Sequence, residues 1–265
     1  MHDTPSRWSE VRALATARCG DCGWYHGTWP LLRALGLGSS PHDHVAAYAR
    51  GLEGLAPRRV LVTGAADPAM LEVVIAVVGD VVEEVILVDR CATPLALGQA
   101  WAQRAGVALR TVQRDARTLH DLGPVDAVVT HAFLGYFDAP GRRDLLAAWA
   151  GALRPGGRVV TVNRLRPGAP DHPVRASEAE TEALVARVVA GAREAGLDVV
   201  AAAAAARAWA ERMVTWPLQS AAALEAQLVA VGLEPALTVR EGVSPSAAPG
   251  TGARASVVEV VAVRP

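Results

Sequence analysis

The sequence contains no lysine, so all 26 of its basic residues are arginines. This absence excludes chemistry that needs a lysine amine, such as a pyridoxal phosphate Schiff base, a Gly-Lys-Ser/Thr phosphate loop or the Tyr-x-x-x-Lys pair of short-chain dehydrogenases. The formal net charge is only −1, which provides no strong field for gathering polyanions. We therefore expect no nucleic-acid partner.

Long uncharged hydrophobic runs are also absent. Glu72 and Asp80 interrupt the most apolar stretch, and no segment reaches the roughly 18–20 uncharged residues that cross a bilayer. The first residues carry scattered charges and show no apolar run before a cleavage site. The three cysteines are few and odd in number, which suits a reducing compartment. We therefore expect a cytoplasmic protein with no membrane partner.

Short apolar runs alternate with helix-length segments in the middle of the chain. The five runs cover residues 58–64, 83–89, 108–113, 125–130 and 157–163. Near-continuous Val, Ile and Leu runs are typical of parallel strands that are buried on both faces. The last two apolar runs of the chain have only a Ser/Pro/Gly loop between them. This pattern predicts an α/β fold with a doubly wound, seven-stranded, mostly parallel, Rossmann-like sheet that ends in an antiparallel strand.

The chain divides into an outer and a central part. We predict a ligand-binding core from residues 58–164 and 217–265. Residues 1–57 predict a helical lid that contacts substrate, and residues 165–216 predict a helical insertion, because alanine favours helix. Insertions of this kind can complete a small-molecule pocket or form a homodimer contact, and the sequence leaves both open.

Three residues follow predicted strands at the edge where ligands bind in such sheets. Gly64 follows the first strand and permits a tight turn, with helix N–H groups beyond it that favour an anion. Asp89 follows the second strand and suits ribose hydroxyls, and Asp115 follows the third and suits an exocyclic amine. Alternatively, Gly64 is only a turn, Asp89 a helix cap, and Asp115 a cap paired with Arg117.

Four segments resemble motifs of class I S-adenosylmethionine-dependent methyltransferases: VLVTGAAD, VDR, RDAR and LRPGGRVV. The resemblance covers about residues 58–164 and the closing hairpin, and it implies S-adenosylmethionine as the cofactor. The implied cofactor-binding residues are Gly64, Ala65, Ala66, Asp89, Arg90, Asp115, Ala116 and Thr130. The first motif departs from the family pattern, with Val62 in place of an acidic residue and Ala66 and Pro68 in place of glycines, while Asp67 provides a nearby charge.

His131 follows the fourth strand, where this family often places active-site residues, and is the predicted catalytic base. Its neutral form is available near pH 7; alternatively it packs beneath Phe133 and Phe137. The predicted substrate-contacting residues are Trp24, Tyr25, His26, Tyr136 and Asn163. For the N-terminal aromatic residues, docking onto the core is the alternative.

Cys19 and Cys22 form a C-x-x-C pair, with His26 four residues further on. A zinc site needs about four ligands, and no second C-x-x-C exists. Cys91 is the remaining thiol. We therefore predict no metal site and expect two ordinary thiols.

Together these features predict a methyltransferase of small-molecule metabolism that acts on an apolar or aromatic substrate. The eroded first motif keeps two alternatives open. One is a methyltransferase-like binding or regulatory protein, and the other is an enzyme with an altered sulfonium cofactor. A nicotinamide oxidoreductase is opposed by the missing lysine and the missing G-x-G-x-x-G pattern.

Overall fold

Seven strands form one sheet in the computed structural model, which describes residues 8–245 and 254–265. The strands are β1 (Arg59–Thr63), β2 (Glu84–Asp89), β3 (Leu109–Gln113), β4 (Val125–His131), β5 (Leu153–Leu165), β6 (Glu234–Pro245) and β7 (Arg254–Val263). Their order in the sheet is β3-β2-β1-β4-β5-β7-β6, and β7 runs antiparallel to both of its neighbours. The predicted fold class is confirmed.

The described residues contain ten α-helices. They are α1 (Trp8–Arg18), α2 (Gly23–His26), α3 (Trp29–Ala34), α4 (Val45–Leu52), α5 (Ala69–Val78), α6 (Ala92–Ala105), α7 (Ala139–Ala152), α8 (Glu178–Glu194), α9 (Val199–Arg212) and α10 (Ala221–Ala230). No helix in these ranges combines the length and the apolar character needed to cross a membrane.

Alternate side chains of the central strands fill two separate apolar layers, one on each face of the sheet. Leu61 of β1 packs with Trp149 of α7 on one face. Val60 and Val62 pack with Tyr48 of α4 on the other. Because both layers exclude water, the central strands are apolar at successive positions, which is the pattern that the sequence shows.

Strand β5 begins earlier than the apolar run at residues 157–163 predicts. The Pro-Gly-Gly segment before that run lies within β5 as an irregularity, where the register with β4 shifts between Val125 and Ala127. Gly156 has a φ of 76° and its N–H donates to the carbonyl of Arg264 at 2.7 Å. Pairing with the end of β7 therefore holds this segment in the sheet.

The N-terminal helices and the insertion share one apolar cluster, which we call the cap. Its buried members include Trp8, Trp29, Leu32, Val188 and Trp209. The rings of Trp29 and Trp209 stack with centroids 6.4 Å apart, joining α3 to α9. The two outer parts of the sequence thus meet over the carboxyl ends of the strands.

Candidate active site

A tight turn follows β1 and forms the floor of the site. Gly64 has a φ of 66°, and a Cβ placed on it would overlap the ring of Phe133. Only glycine accommodates both the left-handed backbone and this close aromatic contact. The turn therefore requires the glycine that the sequence places there.

Asp67 belongs to the first motif, VLVTGAAD, which differs from the family pattern, and it is paired with the cap. Its Oδ1 forms an ion pair with Arg33 of α3 and accepts a hydrogen bond from the N–H of Ala69, at the start of α5. Its Oδ2 is buried and has no hydrogen-bond partner among the described residues. The charge at this position is thus largely neutralised by the cap.

Asp89 at the end of β2 presents a carboxylate to the main cavity of the site. Oδ1 accepts a hydrogen bond from the N–H of Cys91 at 2.8 Å, and in the described part of the chain Oδ2 has no hydrogen-bond partner. Burial raises the pKa of Asp89 to about 6. A partly buried carboxylate with a free oxygen suits hydrogen bonds from ligand hydroxyls.

Asp115 after β3 forms a closed local pair with Arg117. It accepts hydrogen bonds from the N–H, Nε and Nη2 of Arg117, the last at 2.7 Å. These bonds hold the pKa of Asp115 below its usual value. Asp115 and the buried Ala116 still line the main cavity, so a ligand there would share Asp115 with Arg117.

The main cavity has a volume of about 590 Å³ and joins the strand exits to the cap. On the sheet side it is lined by Gly64, Ala65, Ala66, Val88, Asp89, Arg90, Cys91, Ala92, Gln113, Asp115 and Ala116. On the opposite side it is lined by Trp24, Tyr25, His26, Phe133, Tyr136, Phe137, Met213 and Val214. Its size lies within the range of small-molecule sites. Of the predicted cofactor-binding residues, all but Thr130 lie in this lining.

Aromatic side chains form the wall opposite the strand exits. The hydroxyls of Tyr25 and Tyr136 are 2.8 Å apart, which ties the cap to the β4–α7 connection. Phe133 and Phe137 pack edge to face with centroids 5.0 Å apart. Most of the predicted substrate-contacting residues therefore meet around one cavity, although they come from distant parts of the sequence.

His131 lies outside the main cavity, in an adjoining inner cavity of about 50 Å³. The Tyr48 hydroxyl lies 3.0 Å from the carbonyl of Thr130 and 2.9 Å from Nδ1 of His131. Since the hydroxyl donates its single proton to the carbonyl, Nδ1 carries the imidazole proton and Nε2 is an acceptor. Ser39 then donates to Nε2 at 2.7 Å.

The surroundings of His131 keep its ring neutral. Burial first, and then the neighbouring basic side chains, His44, Arg164 and Arg33 among them, hold the pKa of His131 well below 6.5. The next residue, Ala132, has a φ of 50°, a strained backbone that its N–H bond to the carbonyl of Val162 holds in place. The end of β4 thus holds an uncharged imidazole in a fixed position, with Nε2 able to accept a proton.

Thr130 and Asn163 make structural contacts within the core. Thr130 is buried and its hydroxyl donates to the carbonyl of Thr63, which ties β4 to β1. The Oδ1 of Asn163 accepts from the N–H of Leu134, and its Nδ2 donates to the hydroxyl of Thr161. Asn163 also borders a small crevice beside Tyr136, so these contacts orient the β4–α7 connection.

Two residues of the site were not identified from the sequence. Arg33 and Ser39 reach the strand exits only through the packing of the cap, and no local pattern indicates that contact. Arg164 lies near the end of β5 and has buried Nε and Nη2 atoms with no hydrogen-bond partner among the described residues. Its position directly after the predicted strand at residues 157–163 indicated a place in the cleft, because strand exits line such sites.

Part of the chain matches a known family of protein domains. Residues 69–157 match the model of a family described as a methyltransferase domain. A search of curated proteins gives no match.

Three solved structures share the fold. The glycopeptide N-methyltransferase MtfA, complexed with S-adenosyl-L-homocysteine, has a TM-score of 0.55 at 16% identity, covering 86% of this chain and 91% of its own. CalS10, an amino pentose methyltransferase from Micromonospora echinaspora bound to S-adenosylmethionine, has a TM-score of 0.53 at 18% identity, covering 87% and 94%. The N-methyltransferase NodS from Bradyrhizobium japonicum WM9, with S-adenosyl-L-homocysteine, has a TM-score of 0.51 at 14% identity, covering 90% and 98%.

The resemblance found in the sequence is therefore confirmed, since the strand order, the antiparallel last strand and the family match agree. The chain is thus similar to class I S-adenosylmethionine-dependent methyltransferases, with a methyltransferase-domain match over residues 69–157 and the strand order given above.

Proposed function

We propose that this protein binds S-adenosylmethionine in the main cavity and methylates a small organic molecule that has an apolar or aromatic body. One observation carries this proposal. A single cavity of about 590 Å³ is bounded on one side by the nucleoside-type strand exits and on the other by aromatic side chains of the cap and the β4–α7 connection. Methyl transfer requires the cofactor and the acceptor to lie next to each other, and a cavity with these two different sides can hold both.

The residues at the strand exits fit the cofactor. Gly64 allows the backbone of the first turn to approach a ligand closely, and Asp89 offers the free Oδ2 of a carboxylate to ribose hydroxyls. Asp115 and Ala116 would border the base. When bound, the cofactor supplies an electrophilic methyl group on a sulfonium.

The aromatic wall would hold the acceptor and keep water away. Tyr25, Tyr136 and Phe137 present ring surface to the main cavity, and Met213 and Val214 add apolar surface from the insertion. Closure by such side chains orients the acceptor and strengthens the electrostatic interactions inside. An apolar or aromatic acceptor fits this wall better than a polyanion does.

His131 would remove a proton from the acceptor at Nε2. The ring is held in the tautomer with Nδ1 protonated, because Nδ1 donates to Tyr48. Its Nε2 is separated from the main cavity by Tyr25 and Tyr136, which line both cavities. The hydroxyl of Ser39 now holds Nε2, so the acceptor or a bridging water would have to take the place of Ser39.

Arg164 would anchor a polar end of the acceptor. Two buried guanidinium nitrogens without a hydrogen-bond partner in the described ranges lie at the inner cavity, next to Tyr136. Buried donors of this kind are unfavourable unless a ligand satisfies them. A carboxylate or a carbonyl on the acceptor would do so.

Calorimetric titration and a transfer assay test this proposal. We expect one S-adenosylmethionine to bind per chain, no binding of NAD, and passage of a labelled methyl group to a member of a panel of aromatic and apolar metabolites. Asp89→Ala should weaken cofactor binding about 10- to 100-fold, since a charge-assisted hydrogen bond contributes about 1–3 kcal/mol. The matched control is Asp80→Ala, which removes an exposed carboxylate just before the start of β2. This variant should bind the cofactor as tightly as the wild type does.

Two results would contradict the proposal. Equal affinity of the wild type and the Asp89→Ala variant would remove the assigned ribose contact. Tight cofactor binding without transfer to any class of acceptor would favour a binding or regulatory protein instead.

A further inference from the structure

Three thiols that are far apart in the sequence meet at the edge of the main cavity. Cys19 follows α1, Cys22 precedes α2, and Cys91 precedes α6 directly after β2. The Sγ atoms of Cys19 and Cys91 are 3.0 Å apart, and the three Sγ atoms all lie within 4.8 Å of one another. The structure thus adds to the C-x-x-C pair a third thiol that the spacing in the sequence could not place.

The separations of these sulfur atoms suit one tetrahedral metal ion. Zinc binds thiolate sulfur at about 2.3 Å in a tetrahedron, so the sulfur ligands lie about 3.8 Å from one another. This sulfur–sulfur distance lies between the 3.0 Å that separates Cys19 from Cys91 and the 4.8 Å within which all three sulfurs lie. Small movements of the side chains would therefore place all three sulfurs around an ion.

His26 is available as the fourth ligand. It is four residues beyond Cys22, is only 7% exposed, and its ring contacts the thiol of Cys91. Its Nδ1 is buried and has no hydrogen-bond partner among the described residues. The imidazole is not among the ligand atoms that lie within 4.8 Å of one another, so its ring would have to move toward the thiols to complete the Cys₃His donor set of structural zinc sites.

The hydrogen bonds around the cluster also favour a bound ion. The hydroxyl of Thr93 lies 3.0 Å from Sγ of Cys19, where it can donate to a thiolate. The N–H of Cys91 is held by Asp89. Such contacts orient metal ligands and partly balance their charge.

We propose that Cys19, Cys22, Cys91 and His26 bind one zinc ion that fastens the N-terminal part of the cap to the exit of β2. The ion would hold α1 and α2 over the main cavity and fix the backbone beside Asp89. This inference does not depend on the proposed function, because the site would stabilise the cap whatever ligand the cavity binds. A disulfide between Cys19 and Cys91 is the competing arrangement, but it would use neither Cys22 nor His26.

Metal analysis of the full chain tests this proposal. After production with added zinc and purification without chelators, we expect about one zinc per chain by mass spectrometry. Cys22→Ser and His26→Ala should each lower the zinc content at least several-fold. His172→Ala is the matched control, since that imidazole is exposed and remote from the thiols, and it should retain the metal.

A second measurement on the wild type keeps the test independent of how the variants fold. Removal of the zinc with a strong chelator should make three thiols reactive and lower the melting temperature, and replacement by cobalt should give a thiolate-to-cobalt absorption band. Absence of metal after reconstitution with zinc would overturn the proposal. A Cys19–Cys91 disulfide found by peptide mapping would overturn it as well.

Discussion

Replacing Arg164 should stabilise the protein while weakening its use of the acceptor. The Nε and Nη2 atoms of Arg164 are buried without a hydrogen-bond partner among the described residues, and burial lowers the pKa of the guanidinium. An unsatisfied buried donor costs about 1–3 kcal/mol, and more when it is charged. Arg164→Met keeps a long apolar side chain and removes both donors.

Removing the two unsatisfied donors should raise the free energy of unfolding by about 1–3 kcal/mol. The gain is no larger because methionine keeps only part of the apolar contacts of the arginine side chain. For a chain of this size that corresponds to a rise of about 2–6 °C in Tm. Scanning calorimetry measures this rise directly. In the transfer assay, the same variant should show a higher KM for the acceptor, whereas calorimetric titration should give the same affinity for the cofactor.

Arg142→Met is the matched control, because Arg142 is a buried arginine whose donors are satisfied. Its guanidinium donates to the carbonyls of Leu134, Phe137 and Trp216. Losing these three bonds should lower the unfolding free energy by about 2–4 kcal/mol. If Arg164→Met lowered Tm as Arg142→Met does, Arg164 would be a structural residue and its assigned role in the acceptor site would be refuted.

Three further predictions concern the floor and the base of the site. His131→Ala should lower kcat at least 100-fold while the cofactor affinity measured by calorimetry is kept, and an unchanged rate would show that His131 is not the base. The unfolded imidazole binds a proton near pH 6.5 and the folded one does not. The unfolding free energy should therefore fall as the pH drops below 6.5, by up to about 1.4 kcal/mol per pH unit, and urea titrations of His131→Asn should show a smaller slope. Gly64→Ala should lower Tm and weaken cofactor binding, because its Cβ would displace Phe133, and an unperturbed variant would contradict the close packing described.

The positions and the burial of the central strands could be predicted because they follow from local patterns. The runs that became β1, β2 and β4 are apolar at successive positions, as strands buried on both faces must be. Their exits then placed Gly64 and Asp89 at one edge of the sheet, where both line the main cavity.

Contacts between the cap and the core could not be predicted in the same way. The ion pair of Arg33 with Asp67 and the meeting of Cys91 with Cys19 join residues 34 and 72 positions apart. Such pairs depend on how the helices pack, and neither periodicity nor composition contains that information. The pair of Asp115 with Arg117, by contrast, joins residues two positions apart. The sequence offered it as an alternative to a ligand contact, and the structure shows this pair.

The position of His131 illustrates the same limit. The sequence places it directly after the fourth strand, and in the structure it is the last residue of β4, but the residues that hold its ring nitrogens come from the N-terminal segment. Whether it faced the main cavity therefore depended on the packing of Ser39 and Tyr48. Its role as the base stays a prediction.

A crystal structure of the protein with S-adenosyl-L-homocysteine tests the central claim most directly. The account predicts that the ribose hydroxyls lie within hydrogen-bonding distance of Asp89 Oδ2, with the base beside Ala116 and the sulfur facing Tyr25 and Tyr136. Electron density for the ligand outside the main cavity, or a cavity closed by the side chains of the cap, would contradict it.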